Sequence, residues 1–193
     1  AAARNAGISA TRGDLVAFLD ADDVWHPRKL EIQARVLETR PELALIAAGT
    51  TAWPGRFGPV QDEAAETLTL ETLAVRNTIA ASSVLIRRSS LDQTGLFDRR
   101  LKGPEDYDLW LRTAERAPVA ALRTPLVGYR TVPGSLGQRP ASMECGLRRV
   151  LRKLERRGAL RGRWLVRRKA SSYVSYSCAY LYRASGNPRA ALT

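Results

Sequence analysis

The chain has few of the residues that hold structural zinc or form disulfides. Its 193 residues include two cysteines, one histidine and one methionine. Cys145, Cys178 and His26 are too few for a tetrahedral zinc site, and two cysteines do not make a disulfide framework. This composition is consistent with a reducing compartment, so we predict a cytoplasmic location.

Long apolar runs are also missing. No run of about 18 apolar residues occurs, so the sequence offers no candidate for a bilayer-spanning helix. Acidic residues are scarce in one part only, since residues 1–138 hold 17 Lys/Arg and 17 Asp/Glu, whereas residues 139–193 hold 14 and 2. The net charge of +12 therefore lies in residues 139–193, which we call the basic tail.

The basic tail contains an amphipathic helix. Apolar side chains recur at helical spacing at Leu147, Val150, Leu151 and Leu154, with arginines and a lysine around them. Such a helix suits an anionic membrane, where each Lys or Arg contributes roughly 1 kcal/mol. The same pattern is equally typical of a helix whose apolar face packs on the rest of the protein. Both interpretations stay open, and the first would place the protein peripherally at the inner face of the cell membrane.

The end of the basic tail has a second helical pattern. Residues 170–192 resemble one tetratricopeptide-like helix and the start of its partner. Because such repeats need neighbours to bury their faces, this segment is either a helical cap or the first unit of an array.

Three carboxylates follow directly on an apolar run. Leu15–Leu19 is typical of a buried strand, and Asp20, Asp22 and Asp23 come immediately after it. Clustered carboxylates raise each other's pKa unless a hard cation or an ordered hydrogen-bond network compensates them. A divalent metal would do so. Alternatively, Asp22 and Asp23 cap the helix that begins near Pro27.

A second acidic group lies later in the chain. Residues 103–112 indicate a turn that leads into an amphipathic helix, with Glu105, Asp106 and Asp108 in its first turn. The helix macrodipole alone accounts for acidic residues at such a position. It does not account for a strand-end Asp-x-Asp followed by a helix-start Glu-Asp in a chain that alternates strands and helices.

Together these motifs resemble glycosyltransferase family 2, the nucleotide-sugar enzymes of GT-A fold, over roughly residues 1–131. The matching segments are residues 3–8, 18–33, 82–88, 95–98 and 103–112. The resemblance implies an α/β fold with a GT-A-like mixed sheet and flanking helices over residues 1–138, followed by an α-helical tail over residues 139–193.

The resemblance also implies an active site. In this family the Asp-x-Asp holds Mg²⁺ or Mn²⁺ against the donor diphosphate, and the Asp of the Glu-Asp pair is the catalytic base. By position, Asp20 and Asp22 bind donor and metal, with Asp22 the preferred direct ligand, and Asp106 is the base. Arg4 would lie near the nucleotide, or else is a solvated helix arginine.

The implied reaction is a single in-line displacement with inversion at the sugar. A nucleoside-diphosphate sugar would be the donor, and a hydroxyl of a glycan or a lipid-linked acceptor would receive the sugar. The expected process is synthesis of a cell-surface polysaccharide or glycolipid.

The acceptor side is less defined. Glu105 either shapes the acceptor pocket or hydrogen-bonds the backbone. Trp110 either stacks on an acceptor sugar or joins the core face of its helix. Many relatives carry a histidine just after the Tyr-Arg pair that ends at Arg130, where this chain has Thr131, and we interpret His26 as a helix-start residue. The ligands would then be carboxylates, diphosphate and water, which suits Mg²⁺ or Mn²⁺ better than zinc.

The resemblance begins partway into the family's domain. We therefore expect the first strands of the sheet to be missing, and the segment to be part of a longer polypeptide and inactive alone. Periodicity and cap residues predict strands at 15–19, 43–48, 82–87, 119–122 and 126–130. They predict helices closing at Gly13, over 27–39, over 70–75, up to Gly95 and from Asp106 to 116, and a loop at 52–66.

Two other classes of function remain as alternatives. The segment Leu19–Val24 also resembles the nucleophile motif of haloacid-dehalogenase-like phosphatases, with Asp20 attacking phosphate, although the later motifs of that class are not evident. The basic tail, with Trp164, Tyr173 and Tyr176, could bind nucleic acid by phosphate neutralisation and stacking. Residues 1–138, which we call the front, are balanced in charge and carry the ordered carboxylate motifs. Both properties argue against nucleic acid as the partner.

Overall fold

The computed structural model describes residues 1–60, 64–131 and 139–187. A short 3₁₀ turn, Ala81–Ser83, precedes the fifth strand. The strands are β1 Leu15–Ala17, β2 Val24–Trp25, β3 Leu45–Ala52, β4 Glu66–Leu68, β5 Leu85–Arg87 and β6 Val119–Tyr129. The helices are α1 Ala2–Ala10, α2 Lys29–Thr39, α3 Leu70–Val75, α4 Arg88–Thr94, α5 Glu105–Ala114, α6 Pro140–Arg156 and α7 Trp164–Ala184.

A mixed sheet of six strands forms the centre of the described structure. Its order is β1-β5-β3-β6-β2, with β4 beside the start of β6. Strands β3 and β6 run parallel, and the other pairs are antiparallel. The first four residues of β3, Leu45 to Ala48, are all buried, as expected for a central strand covered on both faces.

Helices cover both faces of the sheet. Alternate residues of β3 join different apolar clusters, Leu45 on one face and Ile46 on the other. The Ile46 face packs on α2 through Leu37, whereas the Leu45 face packs on a larger group that includes Trp110 of α5. The result is a layered α/β arrangement, which confirms the predicted fold class.

Local cap signals placed several helices correctly. Helix α3 starts where predicted, because the Thr69 hydroxyl accepts a hydrogen bond from the Thr72 amide at 3.1 Å. Helix α4 ends at Gly95, whose φ of +79° lies in the left-handed region that glycine adopts without strain.

Two features of the sheet differ from prediction. The strands expected at 119–122 and 126–130 are one strand, β6, which crosses Pro125 because β3 stays paired with it on both sides of two register irregularities near Gly49. The two-residue strand β2 was not predicted, since two residues are too few to show a periodic pattern. Strand β4 falls at the end of the predicted 52–66 loop, of which residues 61–63 lie outside the described residues.

The helices of the basic tail pack on the rest of the protein. Val150 and Leu154 of α6, together with Leu160, belong to the larger apolar cluster. This packing supports the second interpretation of the amphipathic helix, while membrane contact stays a prediction. The expected partner of the repeat-like helix falls on residues 188–193, outside the described part, and the domain boundary at residue 138 also stays a prediction. In the ranges described, no helix is long and apolar enough to cross a bilayer.

Candidate active site

The acidic turn, residues 20–23, is fixed by backbone hydrogen bonds at both ends. The Asp20 amide donates to Ser82 Oγ at 3.1 Å, and the Asp23 amide donates to the Asp20 carbonyl at 3.1 Å. Asp23 Oδ1 accepts from the Arg130 amide at 3.1 Å, just past the end of β6. The turn is therefore held between β1, the 3₁₀ segment and β6, with Asp23 as the residue that orients it.

Helix α2 takes no cap from this turn. Its N-cap position is Arg28, whose amide donates to His26 Nδ1 at 3.1 Å, as expected for a helix-start histidine, and neither Asp22 nor Asp23 accepts a hydrogen bond from the helix start. The prediction that Asp22 and Asp23 cap the helix is wrong, because Asp23 accepts from the Arg130 amide just past β6 instead. The clustering of carboxylates consequently needs another explanation.

A buried polar network lies beneath the acidic turn. Trp25 Nε1 donates to the Ser82 carbonyl at 2.8 Å, and Gln33 Nε2 donates to the Ser83 carbonyl at 2.8 Å. Lys29 is fully buried, donates to Gln33 Oε1 at 2.7 Å and lies 4.3 Å above the Trp25 ring. Burial lowers the pKa of Lys29 to about 7. These contacts fix the segment whose Ser82 hydroxyl meets the Asp20 amide.

Arg4 connects the two acidic groups. Its Nη2 lies 2.6 Å and 2.8 Å from the two carboxylate oxygens of Asp20, and its Nη1 lies 3.2 Å from Glu105 Oε1. The guanidinium also lies over the Phe97 ring at 5.6 Å. Arg4 is therefore not a solvated helix arginine, and it brings the end of β1 to the start of α5.

Glu105 stabilises the start of α5. The residue is buried, with 8% of its surface exposed. Its carboxylate accepts a hydrogen bond from the Gly103 amide at 3.0 Å and pairs with Arg4. Gly103 itself has a φ of +112°, a conformation that favours glycine. The backbone-bonding interpretation of Glu105 is thus realised in the structure, and an acceptor contact by this side chain stays a prediction.

Asp106 lies at the wall of a cavity of about 500 Å³. Its Oδ1 accepts a hydrogen bond from the Tyr107 amide at 2.6 Å. Burial raises the pKa of Asp106 to about 7; the charges of Glu105 and Asp20 add to the rise, and the Tyr107 amide and Arg4 oppose it. A carboxylate whose pKa lies near neutral pH is suited to accept a proton from a hydroxyl.

The third acid of the helix start has a different environment. Asp108 is completely buried and pairs with Arg112 at 3.0 Å and with Lys153 at 2.8 Å. It therefore joins α5 to the basic tail. Of the three acids in the first turn, Asp106 is the one that lines the cavity.

Trp110 is unavailable to an acceptor. Its side chain is 0% exposed and packs at 6.2 Å from the Phe18 ring and 6.1 Å from the Phe97 ring. This burial contradicts the predicted stacking on a sugar and supports the alternative, a core residue of α5. Helical spacing could not distinguish the two because it does not say which face meets the sheet.

A divalent cation would find one open carboxylate in the acidic turn. Asp22 is exposed, and its carboxylate takes part in no hydrogen bond or ion pair within residues 1–60, 64–131 and 139–187, whereas Asp20 is held by Arg4. Across those ranges no three Asp, Glu, His or Cys side chains form a ready-made metal cluster. The donor set is carboxylate oxygen, which fits Mg²⁺ or Mn²⁺ if other ligands come from a bound molecule and water.

Tyr129 is a site residue that the sequence did not reveal. It lines the same cavity as Asp106, and burial, followed by the charges of Asp23, Asp22, Asp20 and Asp106, raises its pKa. Three of the four tyrosines of α7, Tyr173, Tyr176 and Tyr180, line the same cavity as Asp106. The sequence named Tyr173 and Tyr176 only as stacking residues for nucleic acid, and no local signal could have linked them to Asp106, since they share its cavity only through the fold.

Comparison with known proteins places the chain in a family. It matches the sequence profile described as "Glycosyltransferase like family 2" over residues 1–181, and it belongs to that family. The match extends through α6 and most of α7, beyond the motifs that end near residue 131.

The chain spans only part of the length of each protein that it resembles. The chain is 30% identical over 129 residues to the uncharacterized glycosyltransferase YwdF of Bacillus subtilis, covering 63% of this chain and 48% of YwdF. It is 27% identical over 177 residues to the putative teichuronic acid biosynthesis glycosyltransferase TuaG of the same organism, covering 90% of this chain and 69% of TuaG. The crystal structure of S. aureus TarS 1-349 in complex with UDP-GlcNAc has a TM-score of 0.61 at 18% identity, covering 78% of this chain and 45% of TarS 1-349. This likeness confirms the GT-A-like fold.

Proposed function

We propose that this protein is an inverting, metal-dependent glycosyltransferase that transfers a sugar from a nucleoside-diphosphate sugar to a hydroxyl acceptor. The observation that carries the proposal is the Arg4 bridge, which joins the donor-side Asp20 to Glu105, the neighbour of Asp106. The names of TuaG and of the amylovoran biosynthesis glycosyltransferase AmsB of Erwinia amylovora support a role in surface polysaccharide synthesis. The bound UDP-GlcNAc in TarS supports a nucleotide-sugar donor.

On the donor side, Asp22 would hold the cation and Asp20 would be kept in place by Arg4. Mg²⁺ or Mn²⁺, when bound, stabilises negative charge on the diphosphate by several kcal/mol as a Lewis acid. The Ser82 hydroxyl and the Arg130 amide hold the turn at both ends, so Asp22 can meet the donor without a rearrangement of the backbone.

On the acceptor side, Asp106 would remove the proton of the attacking hydroxyl. As the hydroxyl oxygen bonds to the anomeric carbon, the bond from that carbon to the diphosphate oxygen breaks and its electron pair stays with the diphosphate. The proton passes to Asp106. Because the attacking and leaving oxygens lie on opposite faces of the carbon, the configuration inverts and no covalent enzyme intermediate is needed.

Membrane contact belongs to the same proposal. Trp164 and Leu165, at the start of α7, are 63% and 52% exposed, and the exposed Arg168 and Lys169 follow them on the same helix. Interfacial segments combine aromatic, apolar and basic side chains in this way. We propose that this end of α7 touches an anionic membrane surface.

A donor-turnover assay tests the reaction. The protein, expressed with any residues that flank this segment in its gene, would be incubated with UDP- and dTDP-sugars in Mn²⁺ or in a chelator, with release of nucleoside diphosphate as the readout. We expect manganese-dependent release from at least one sugar nucleotide, with water accepting the sugar and the freshly released sugar having inverted anomeric configuration. Metal-independent release, or retention of configuration, would contradict the proposed mechanism.

A further inference from the structure

Helix α7 forms one side of the cavity that contains Asp106. Tyr173, Tyr176 and Tyr180 of this helix line it, together with Tyr129 at the end of β6. The volume of about 500 Å³ falls within the range of roughly 300 to 1,000 Å³ for small-molecule sites. The motifs of the family resemblance assigned no ligand to this helix, and the sequence indicated Tyr173 and Tyr176 only as stacking residues of the nucleic-acid alternative.

Two of the cavity tyrosines of α7 leave most of their surface open to solvent. Tyr176 and Tyr180 lie one helical turn apart and are 67% and 64% exposed. Tyr173 is more buried, lies 6.3 Å from the Tyr176 ring and is covered by the Arg76 guanidinium at 5.8 Å. Adjacent large aromatic faces left open beside a cavity are characteristic of ligand sites.

The charge of the cavity restricts the ligand. Among the lining residues that the structure describes, Asp106 is the one acidic or basic side chain; the others are aromatic, aliphatic or neutral polar groups such as Asn77 and Ser177. A phosphate-rich or anionic ligand would lie against a carboxylate with no cation on the cavity wall. A neutral ligand with both hydroxyls and an apolar face meets no such repulsion.

We propose that Tyr176 and Tyr180 form a platform for a neutral acceptor saccharide, an inference that rests on the proposed function. A sugar ring has an apolar C–H face that packs on an aromatic ring, while its hydroxyls remain at the edge. A saccharide on this platform shares the cavity with Asp106, so that one of its hydroxyls can reach the carboxylate. The second half of the basic tail thereby contributes to acceptor recognition.

Saccharide binding can be measured without any transfer. The protein would be labelled with 3-fluorotyrosine at its six tyrosines and titrated with neutral methyl glycosides of hexoses and N-acetylhexosamines, with glycerol phosphate and methyl glucuronide as anionic probes. The variants are Tyr176→Ala and Tyr180→Ala. Tyr182→Ala is the matched control, because Tyr182 lies on the same helix and does not line the cavity.

We expect at least one neutral glycoside to shift the fluorine resonances of Tyr176 and Tyr180. Tyr176→Ala and Tyr180→Ala should each raise the Kd of that glycoside about tenfold, the upper end of a single aromatic contact, while Tyr182→Ala leaves it unchanged. Absence of any shift with neutral glycosides, a preference for the anionic probes, or a Kd unaffected by both variants would overturn the inference.

A donor titration on the same samples separates this inference from the proposed function. Manganese-dependent UDP binding without glycoside binding would leave the transferase proposal intact and refute the tyrosine platform. Glycoside binding that depends on Tyr176 and Tyr180, in a protein that binds no sugar nucleotide, would support the platform and refute the proposed reaction.

Discussion

Charged side chains are arranged in opposite ways in the acidic turn and in the basic tail. In residues 20–23, like charges are concentrated, and one arginine with backbone amides compensates all but Asp22. In the tail, cations are spread over two helices, and several pair with acids of the front, as Lys153 does with Asp98 and Asp108 at 2.8 Å. The one uncompensated carboxylate of the turn, Asp22, therefore says more about function than the net charge of +12.

This contrast also bears on the alternative functions. Part of the basic surface that suggested nucleic acid is neutralised within the protein, since Arg157 pairs with Glu115 at 2.6 Å and Arg163 with Glu71 at 2.8 Å. Asp20, the nucleophile of the phosphatase alternative, is held by both of its oxygens to Arg4. Together with the family match, these contacts favour the glycosyltransferase.

The largest expected effect is on the rate of sugar transfer, when Asp106 is replaced. Asp106→Asn keeps the shape of the side chain but removes its capacity to accept a proton, so transfer should fall by about 10² to 10⁴-fold. Donor affinity should stay within about twofold, because the donor carboxylates are Asp20 and Asp22. Single-turnover transfer and donor titration would measure both quantities, with the exposed Asp92→Asn of α4 as control. Transfer at the wild-type rate would remove Asp106 from the role of base.

The attachment of the tail should be the next most sensitive feature. Asp108→Asn leaves Arg112 and Lys153 without their buried anion, and breaking such a pair costs about 3 kcal/mol of unfolding free energy. Glu66→Gln breaks the exposed pair with Arg123 and should cost less than about 1 kcal/mol. Chemical denaturation would compare the two variants. Equal losses would show that the buried contact does not stabilise the tail.

The pKa of Asp106 predicts a pH-dependent cost to stability. Between about pH 4 and 7 the folded protein keeps a proton that the unfolded chain has released, so this group lowers stability as pH rises through that window. Asp106→Asn removes the cost and should raise the unfolding free energy at pH 8 by roughly 1 to 3 kcal/mol. Below pH 4 the two proteins should be equally stable. Denaturation at both pH values would test this, and a variant that is no more stable at pH 8 than the wild type would contradict it.

Membrane attraction should give the smallest effect. Replacing both Arg168 and Lys169 by glutamine removes two exposed cations, each contributing roughly 1 kcal/mol near an anionic surface. Binding to vesicles of phosphatidylglycerol and phosphatidylcholine should weaken, while Arg123→Gln, an exposed cation of the front, should change nothing. Equal binding of all three proteins would argue against contact through α7.

The positions of the site carboxylates could be predicted because their signals are local. Asp20 and Asp22 directly follow a strand, and Asp106 lies at a helix start, so short patterns found each of them. Their meeting through Arg4 depends on the order of motifs known from the family. Sequence separation from Arg4 to Glu105 is 101 residues, which no local pattern spans.

The remaining features depend on contacts that a sequence pattern does not contain. The role of Trp110 depends on which face of α5 meets Phe18 and Phe97. Lys153 is one of many cations in the tail until the fold brings it to the buried Asp108. Tyr180 lines the same cavity as Asp106 only because α7 packs back across α3 and α6.

The most direct test of the account is a calorimetric titration with UDP and UDP- and dTDP-sugars, in the presence and absence of Mn²⁺. The account predicts manganese-dependent binding that Asp22→Ala weakens strongly and Asp106→Asn leaves intact, since Asp22 is the open carboxylate of the turn. Binding that is independent of manganese and unaffected by Asp22→Ala would contradict the assignment of the acidic turn as the donor site.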